Sequence, residues 1–225
     1  MLDRVKGGLI VSCQALPEEP LHSSFIMGRM ARAAEEGGAV GIRANTAADI
    51  EEIARNTALP IIGIVKRDYA DTPIYITPTL REIEELAATP CAMIALDATA
   101  RPRHAGQRLE DFVSEARRAA PGKLLMADIA TLEEAVQAEA LGFDCVSTTL
   151  MGYTAQSEGH NIADNEFARL QAILQAVRVP VIAEGHVDTP AKAKRCLELG
   201  VHAVVVGGAI TRPQLITRSF VEAMA

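Results

Sequence analysis

VPVIAEGHVDTPAKAKRCLELGVHAVVVGGAI, residues 179–210, is the stretch whose reading decides the fold. An apolar, largely β-branched run stops at Glu184-Gly185. A helix-patterned segment from Thr189 to Leu199 follows, and a second β-branched run then stops at Gly207-Gly208. A strand, a helix and a parallel strand in about 30 residues make one βαβ unit. The same rhythm recurs along the chain, with runs that end near Gln14, Arg43, Lys66, Asp97, Asp128, Thr148, Glu184 and Gly207. Sharing 225 residues among eight such units leaves about 28 for each, close to the size of a βα repeat. Right-handed crossovers repeated eight times close on themselves, so the expected fold is α/β, a single (β/α)8 TIM barrel of the phosphate-binding type over residues 1–225. All eight strand ends then meet at one mouth.

Outward from that stretch, strand one is Gly7–Gln14 and helix one runs from about Ser23 to Glu36. Strand two is Ala39–Ala44, and Asn45 or Thr46 caps the helix that runs through Asn56. Pro60 opens strand three, PIIGIVK, and an irregular insert with two prolines fills Tyr69–Pro78. Helix three is Thr79–Ala88 and strand four Cys91–Thr99. Arg101–Gly106 reads as an exposed, mobile loop before helix four, Gln107–Ala120. Strand five is KLLMADI, and helix five, Thr131–Leu141, opens on Thr131, Glu133 and Glu134. Strand six, CVSTTL, leads into the long loop Met151–Ile162, a candidate lid. Helix six is Ala163–Ala176. Strand eight is read as AVVVGGAI, with helix eight beginning at Arg212.

Composition narrows the function classes. Net charge is -7 with signs interspersed, and aromatic residues are scarce (no Trp, three Tyr, five Phe), which argues against a nucleic-acid partner. No run approaches the ~18 apolar residues of a membrane span, and Met1–Lys6 holds no apolar core of a signal peptide. Cys13, Cys91, Cys145 and Cys196 lie far apart without a CxxC pair, the pattern of reduced core cysteines in a cytoplasmic protein. The five histidines do not cluster and no HExxH occurs, so a metal site is not expected.

At the mouth of a barrel, chemistry sits on the strands' C-terminal ends. Lys66 follows the apolar PIIGIV; a partly desolvated lysine loses its proton readily and serves as a general base or a Schiff-base nucleophile. Glu184 ends VPVIAE, and strands three and seven are opposite in a ring of eight. Two ionisable groups facing each other across a substrate suit removal and return of a proton. Arg43 and Asp128 fit substrate binding and structural ion pairing equally well, and Gln14 can orient a hydroxyl or an amide. Gly185, Gly207 and Gly208, with Arg212 nearby, sit after strands seven and eight, where such barrels bind phosphate.

KGGLIVSCQALPEEPL (6–21), GIRAN (41–45), GIVKRDY (63–69), PIYITPT (73–79), ALDAT (95–99), MADI (126–129), STTLMGYT (147–154), IAEG (182–185) and VVVGGAITRP (204–213) resemble the N-acetylmannosamine-6-phosphate 2-epimerase family. The likeness covers nearly the whole chain. One departure is His186, where a more basic residue is expected. The resemblance implies interconversion of N-acetyl-D-mannosamine 6-phosphate and N-acetyl-D-glucosamine 6-phosphate in sialic acid breakdown, without metal or organic cofactor. It implies Lys66 as the principal proton-transfer residue and Glu184 as its partner. Gln14, Arg43, Asp128 and Arg212 become substrate-binding positions, and by likeness alone the assembly is a homodimer. Two rival readings of the same residues are a Schiff-base aldolase using Lys66 and a non-catalytic phosphosugar-binding barrel. A binder has no need of an opposed base and acid.

Overall fold

Eight parallel strands hydrogen-bond in chain order and close on themselves: β1 (Leu9–Cys13), β2 (Gly41–Asn45), β3 (Ile61–Ile64), β4 (Met93–Asp97), β5 (Leu124–Asp128), β6 (Cys145–Ser147), β7 (Val181–Ala183) and β8 (Ala203–Val206). The seam pairs β8 with β1, Ile10 opposite Val205 and Val11 opposite Val206. The computed structural model describes residues 1–224. Around the barrel, in chain order, lie α2 (Ser24–Glu36), α3 (Ala47–Asn56), α4 (Leu80–Ala87), α5 (Leu109–Ala119), α6 (Leu132–Ala140), α7 (Asp164–Ala176) and α8 (Pro190–Glu198), one after each of the first seven strands. A short α1 (Leu2–Val5) precedes the first strand, and α9 (Gly208–Thr211) and α10 (Pro213–Met224) follow the last. Among the described residues no helix is long and apolar enough to cross a membrane.

The side-chain period of two along a strand sets what lies inside. Ile10, Ile62, Ile64, Met93, Ala95, Met126, Cys145, Ile182, Ala203 and Val205 face inward and form the barrel core. Their neighbours, among them Val11, Ile42, Ile61, Ile94, Leu125, Val146, Val181 and Val204, face outward and pack with the helices. The inward parity, continued upward, reaches Ser12 on β1 and Gln14 beyond it, Lys66 beyond β3, Asp128 on β5, Glu184 beyond β7 and Gly207 beyond β8. One alternation therefore fills the core with apolar groups and crowns it with polar ones. The opposite end is closed by α1, whose Val5 is fully buried, while Gly7 donates to His202 O at 2.7 Å.

Several boundaries differ from the sequence reading. Strand eight stops at Val206, because Ile210 and Thr211 turn back to Gly207 O as the short α9; Arg212, where the last helix was expected to begin, accepts the first bonds of α10 from Leu215 N and Ile216 N. Segment 101–106 exposes Pro102, Ala105 and Gly106 as expected, but it is pinned at its middle. Arg103 is buried, donating to Asp97 O at 2.6 Å and stacking its guanidinium over Phe112, so the segment is a strap across the top of β4. At the start of α3, Thr46 takes the cap, and Asn45 is left for another partner.

The long loop 151–162 is packed and bonded to itself. Ser157 is fully buried, and its Oγ accepts from Gly152 N at 2.9 Å and meets Thr154 Oγ1 at 2.8 Å. Gly152 has φ +89°, and a Cβ there would lie 2.3 Å from the backbone oxygen of His160. Gly152→Ala is therefore expected to lower unfolding free energy in urea by about 1–3 kcal/mol through strain and overpacking. A neutral result would mean that the loop is a free lid.

Candidate active site

A cavity of about 780 Å³ opens at the C-terminal ends of the strands. Gln14, Arg43, Lys66, Glu184 and Arg212 line it, together with Gly185, Gly207 and Gly208. Arg43 is the largest of the fully buried side chains, at 1% exposure. Its Nη2 meets Asp128 Oδ2 at 2.5 Å, and its Nη1 lies 3.0 Å from both Asp128 Oδ1 and Glu184 Oε2. Asp128 is wholly buried and stands behind Arg43, paired to it in the bidentate geometry that holds a guanidinium plane. A substrate-binding position by family likeness, Asp128 lies outside the cavity wall and forms the ion pair with Arg43 that was the other reading of the two residues.

Lys66 is set by its backbone. Its N–H donates to Asn45 Oδ1 at 2.8 Å, which explains why Asn45 is not a cap, and it forms an antiparallel bridge with Ile76 of the proline-bearing insert. The adjoining Arg67 pairs with the buried Glu82 at the start of α4 and with Glu85 at 3.1 Å. Burial, then the charges of Arg43 and Arg212, bring the Lys66 ammonium down to about 8. Burial pushes the Glu184 carboxyl the other way, above the ordinary carboxylate range, with Arg43 opposing and Asp128 adding to the rise. A base easier to deprotonate thus faces an acid easier to protonate.

The other end of the cavity groups glycines, a helix start and an arginine. Gly185 (φ +87°) must be glycine, since a Cβ would meet the carbonyl oxygens of Thr148 and Thr149 at 3.2 Å. At α9 the first N–H groups used internally are those of Ile210 and Thr211, so the amides of Gly208 and Ala209 precede the ladder. Arg212 is held by Glu19 of the loop after β1, Nε to Oε1 at 2.5 Å and Nη2 to Oε2 at 3.0 Å, and that bond lowers the Glu19 carboxyl below its ordinary range.

Besides Asp128, two further strand ends are not part of the cavity wall. Asp97 accepts from Thr99 and pairs with Arg101, anchoring the strap. Thr148 donates to Glu184 O at 2.8 Å and accepts from Glu184 N at 3.0 Å, stapling β6 to β7. The wall also holds residues that the sequence reading passed over: Thr149, Tyr75 and Tyr153. Tyr153 stacks on His186, with ring centres 4.8 Å apart and planes at 6°. The three consecutive hydroxyls and alcohols of Ser147-Thr148-Thr149 at a strand end were the available signal for Thr149. Among the described residues no group of three or more His, Cys, Asp or Glu side chains is placed to hold a metal ion.

Fold and site together define a (β/α)8-barrel enzyme whose mouth carries Lys66 and Glu184, with glycines, a helix start and Arg212 at its rim. The chain belongs to the N-acetylmannosamine-6-phosphate epimerase family: residues 27–225 match the family model described as "Putative N-acetylmannosamine-6-phosphate epimerase". A relative from Enterobacter sp. (strain 638), described as a putative N-acetylmannosamine-6-phosphate 2-epimerase, is 60% identical over 224 residues, 100% of this chain and 95% of that one. One from Oceanobacillus iheyensis with the same description is 58% identical, over 98% of this chain and 100% of its own. The solved N-acetylmannosamine-6-phosphate 2-epimerase of Clostridium perfringens superimposes with a TM-score of 0.94 at 58% identity, covering 99% of this chain and 96% of that one. A tryptophan synthase α-subunit from Pyrococcus furiosus, at 18% identity and TM-score 0.65 over 92% and 90% of the chains, shares the fold alone.

The depressed Lys66 value has a consequence for stability. Between about 8 and the ordinary 10.5 the unfolded chain holds a proton that the folded one has released, so the lysine makes stability rise with pH through that window and weakens the fold below it. Lys66→Met is expected to stabilise the protein at pH 7 by on the order of 2 kcal/mol, after allowance for partial exposure, and to flatten the rise above pH 8. Urea midpoints of both proteins across that range check it.

Proposed function

We propose that the chain interconverts N-acetyl-D-mannosamine 6-phosphate and N-acetyl-D-glucosamine 6-phosphate by exchange of the proton at C2. The observation that carries this reading is the pair formed by Lys66, brought down to about 8, and Glu184, pushed up, on opposite sides of one cavity. In the open-chain sugar C2 adjoins the C1 aldehyde, so a positioned base can take its proton. A general base of near-neutral pKa contributes typically 10²–10⁴-fold. In this scheme Lys66 exchanges the C2 proton while Glu184 serves the sugar oxygen during ring opening or returns a proton from the other face. Arg43, held by Asp128, and Gln14 orient the sugar. Gly185, Gly207, Gly208 and Arg212 take the 6-phosphate, and the substrate phosphate displaces Glu19 from Arg212. The activity belongs to the breakdown of sialic acid in the cytoplasm, within one barrel domain spanning residues 1–225.

A coupled assay with both phosphorylated amino sugars, beside their unphosphorylated forms, tests the reading. Turnover is expected for the phosphates, with deuterium at C2 of product formed in D₂O. Activity should fall as pH drops through about 8, where Lys66 takes up a proton and ceases to be a base. Lys66→Ala is expected to lose at least 10²-fold. Product without deuterium, or a Lys66→Ala variant of near-normal rate, would sink the proton-exchange assignment. Borohydride trapping of a sugar on Lys66 would favour the aldolase instead.

We further propose a homodimer joined through α10. That helix buries no residue, and Phe220 and Val221 are 68% and 60% exposed along it, with Leu215 also open. A second copy offering the same face would cover them, the isologous arrangement of most dimers. Light scattering should give twice the chain mass, and Phe220→Asp should give the single chain. A wild-type protein monomeric at micromolar concentration would overturn it.

A further inference from the structure

Thr149 Oγ1 stands between the two carboxylates that Arg43 joins. It lies 2.7 Å from Asp128 Oδ1, 3.0 Å from Glu184 Oε2 and 2.9 Å from Ser147 Oγ. A hydroxyl carries one proton and two acceptor lone pairs, so it can serve only one of these oxygens as donor. The shortest contact is to Asp128, which also takes both terminal nitrogens of Arg43 and is wholly buried, the setting of a stable anion. If its proton goes to Asp128, Thr149 faces Glu184 with a lone pair, whereas a Thr149 donating across the 3.0 Å contact would lower the Glu184 carboxyl. An ionised Glu184 would oppose that lone pair; a protonated one would donate into it.

We propose that Thr149 divides protons between the two carboxylates, donating to Asp128 and accepting from Glu184, so that Asp128 is the resident anion and Glu184 the resident acid. This rests on the epimerase reading only for its purpose: it would supply the reaction with a Glu184 already protonated when sugar arrives. Thr149 is thus a positioning residue acting through Glu184. The charged and titratable groups facing Glu184 are Arg43 on β2, Lys66 beyond β3, Asp128 on β5 and Tyr153 of the loop after β6. Ser147, 3.4 Å from Glu184 Oε2, is the other hydroxyl within reach. Thr149→Val leaves all of these side chains in place and removes one donor from Asp128, which keeps both terminal nitrogens of Arg43, and one contact from Ser147.

The opposite hydrogen-bond direction, Thr149 donating to Glu184, makes the opposite prediction, which decides the matter. Infrared spectra of the resting enzyme, without substrate, report a protonated carboxyl by its carbonyl band, assigned to Glu184 by its loss in Glu184→Gln. The band is expected to persist at a pH above the ~4.3 at which an ordinary glutamate is half ionised. Thr149→Val, which keeps the shape and removes the hydroxyl, should move the pH midpoint of its loss down by about one unit, and Thr149→Ser should restore it. A midpoint that rises in Thr149→Val, or does not move, overturns the proposal. So does a wild-type spectrum without a Glu184 band at that pH, an outcome readable even if the valine variant fails to fold. Because no turnover is involved, a wild type that does not epimerise sugar phosphates would defeat the reaction assignment while leaving this result to stand or fall alone.

Discussion

The site depends on one buried cation. Arg43 sits in the middle of the barrel wall, its strand fixed on both sides by the pairing of Arg43 with Ser12 of β1 and Ile62 of β3. A guanidinium so placed is costly to bury unless its charge is matched and its plane held. Asp128 does both with two parallel contacts, and the remaining proton of Nη1 reaches Glu184. The same charge acts at a distance, since it is the largest influence after burial in making Lys66 a weaker proton holder. Position of the acid and tuning of the base thus come from a single side chain.

Much of this was legible because a barrel strand obeys a strict period. An apolar run with a polar stop fixes which residue crowns the core, and so Gln14, Arg43, Lys66, Glu184 and Gly207 all line the cavity as the rhythm implies. The same parity could not separate wall from support. Asp97 and Asp128 occupy equivalent positions, paired residue to residue across β4 and β5, yet one anchors the strap and the other holds Arg43. That difference lies in partners far along the chain. Thr149 was likewise hidden by its neighbour: Thr148 marks the stop, but its hydroxyl is used up on the backbone of Glu184, and the next residue turns inward. The end of β8 was misread because a glycine pair is compatible with both extension and a tight helical turn, and only the two donors converging on Gly207 O distinguish them.

Charge accounting ties the parts together. Arg43 and Asp128 cancel, which leaves Lys66 and Glu184 as the remaining opposed groups deep in the mouth. A lysine brought down to about 8 opposite a glutamate pushed up narrows the gap between ammonium with carboxylate and amine with acid, because burial disfavours the form that separates charge. The amine-and-acid form is also the one that can take a proton from carbon while offering one to oxygen. Arg212 and Glu19 complete the balance at the rim, and both influence Lys66, in opposite senses. An anion that replaced Glu19 on Arg212 would keep that balance, whereas an uncharged ligand could not displace the carboxylate without leaving it unpaired. The preference for a phosphorylated sugar and the readiness of Lys66 to act as a base are therefore two expressions of the same electrostatic arrangement.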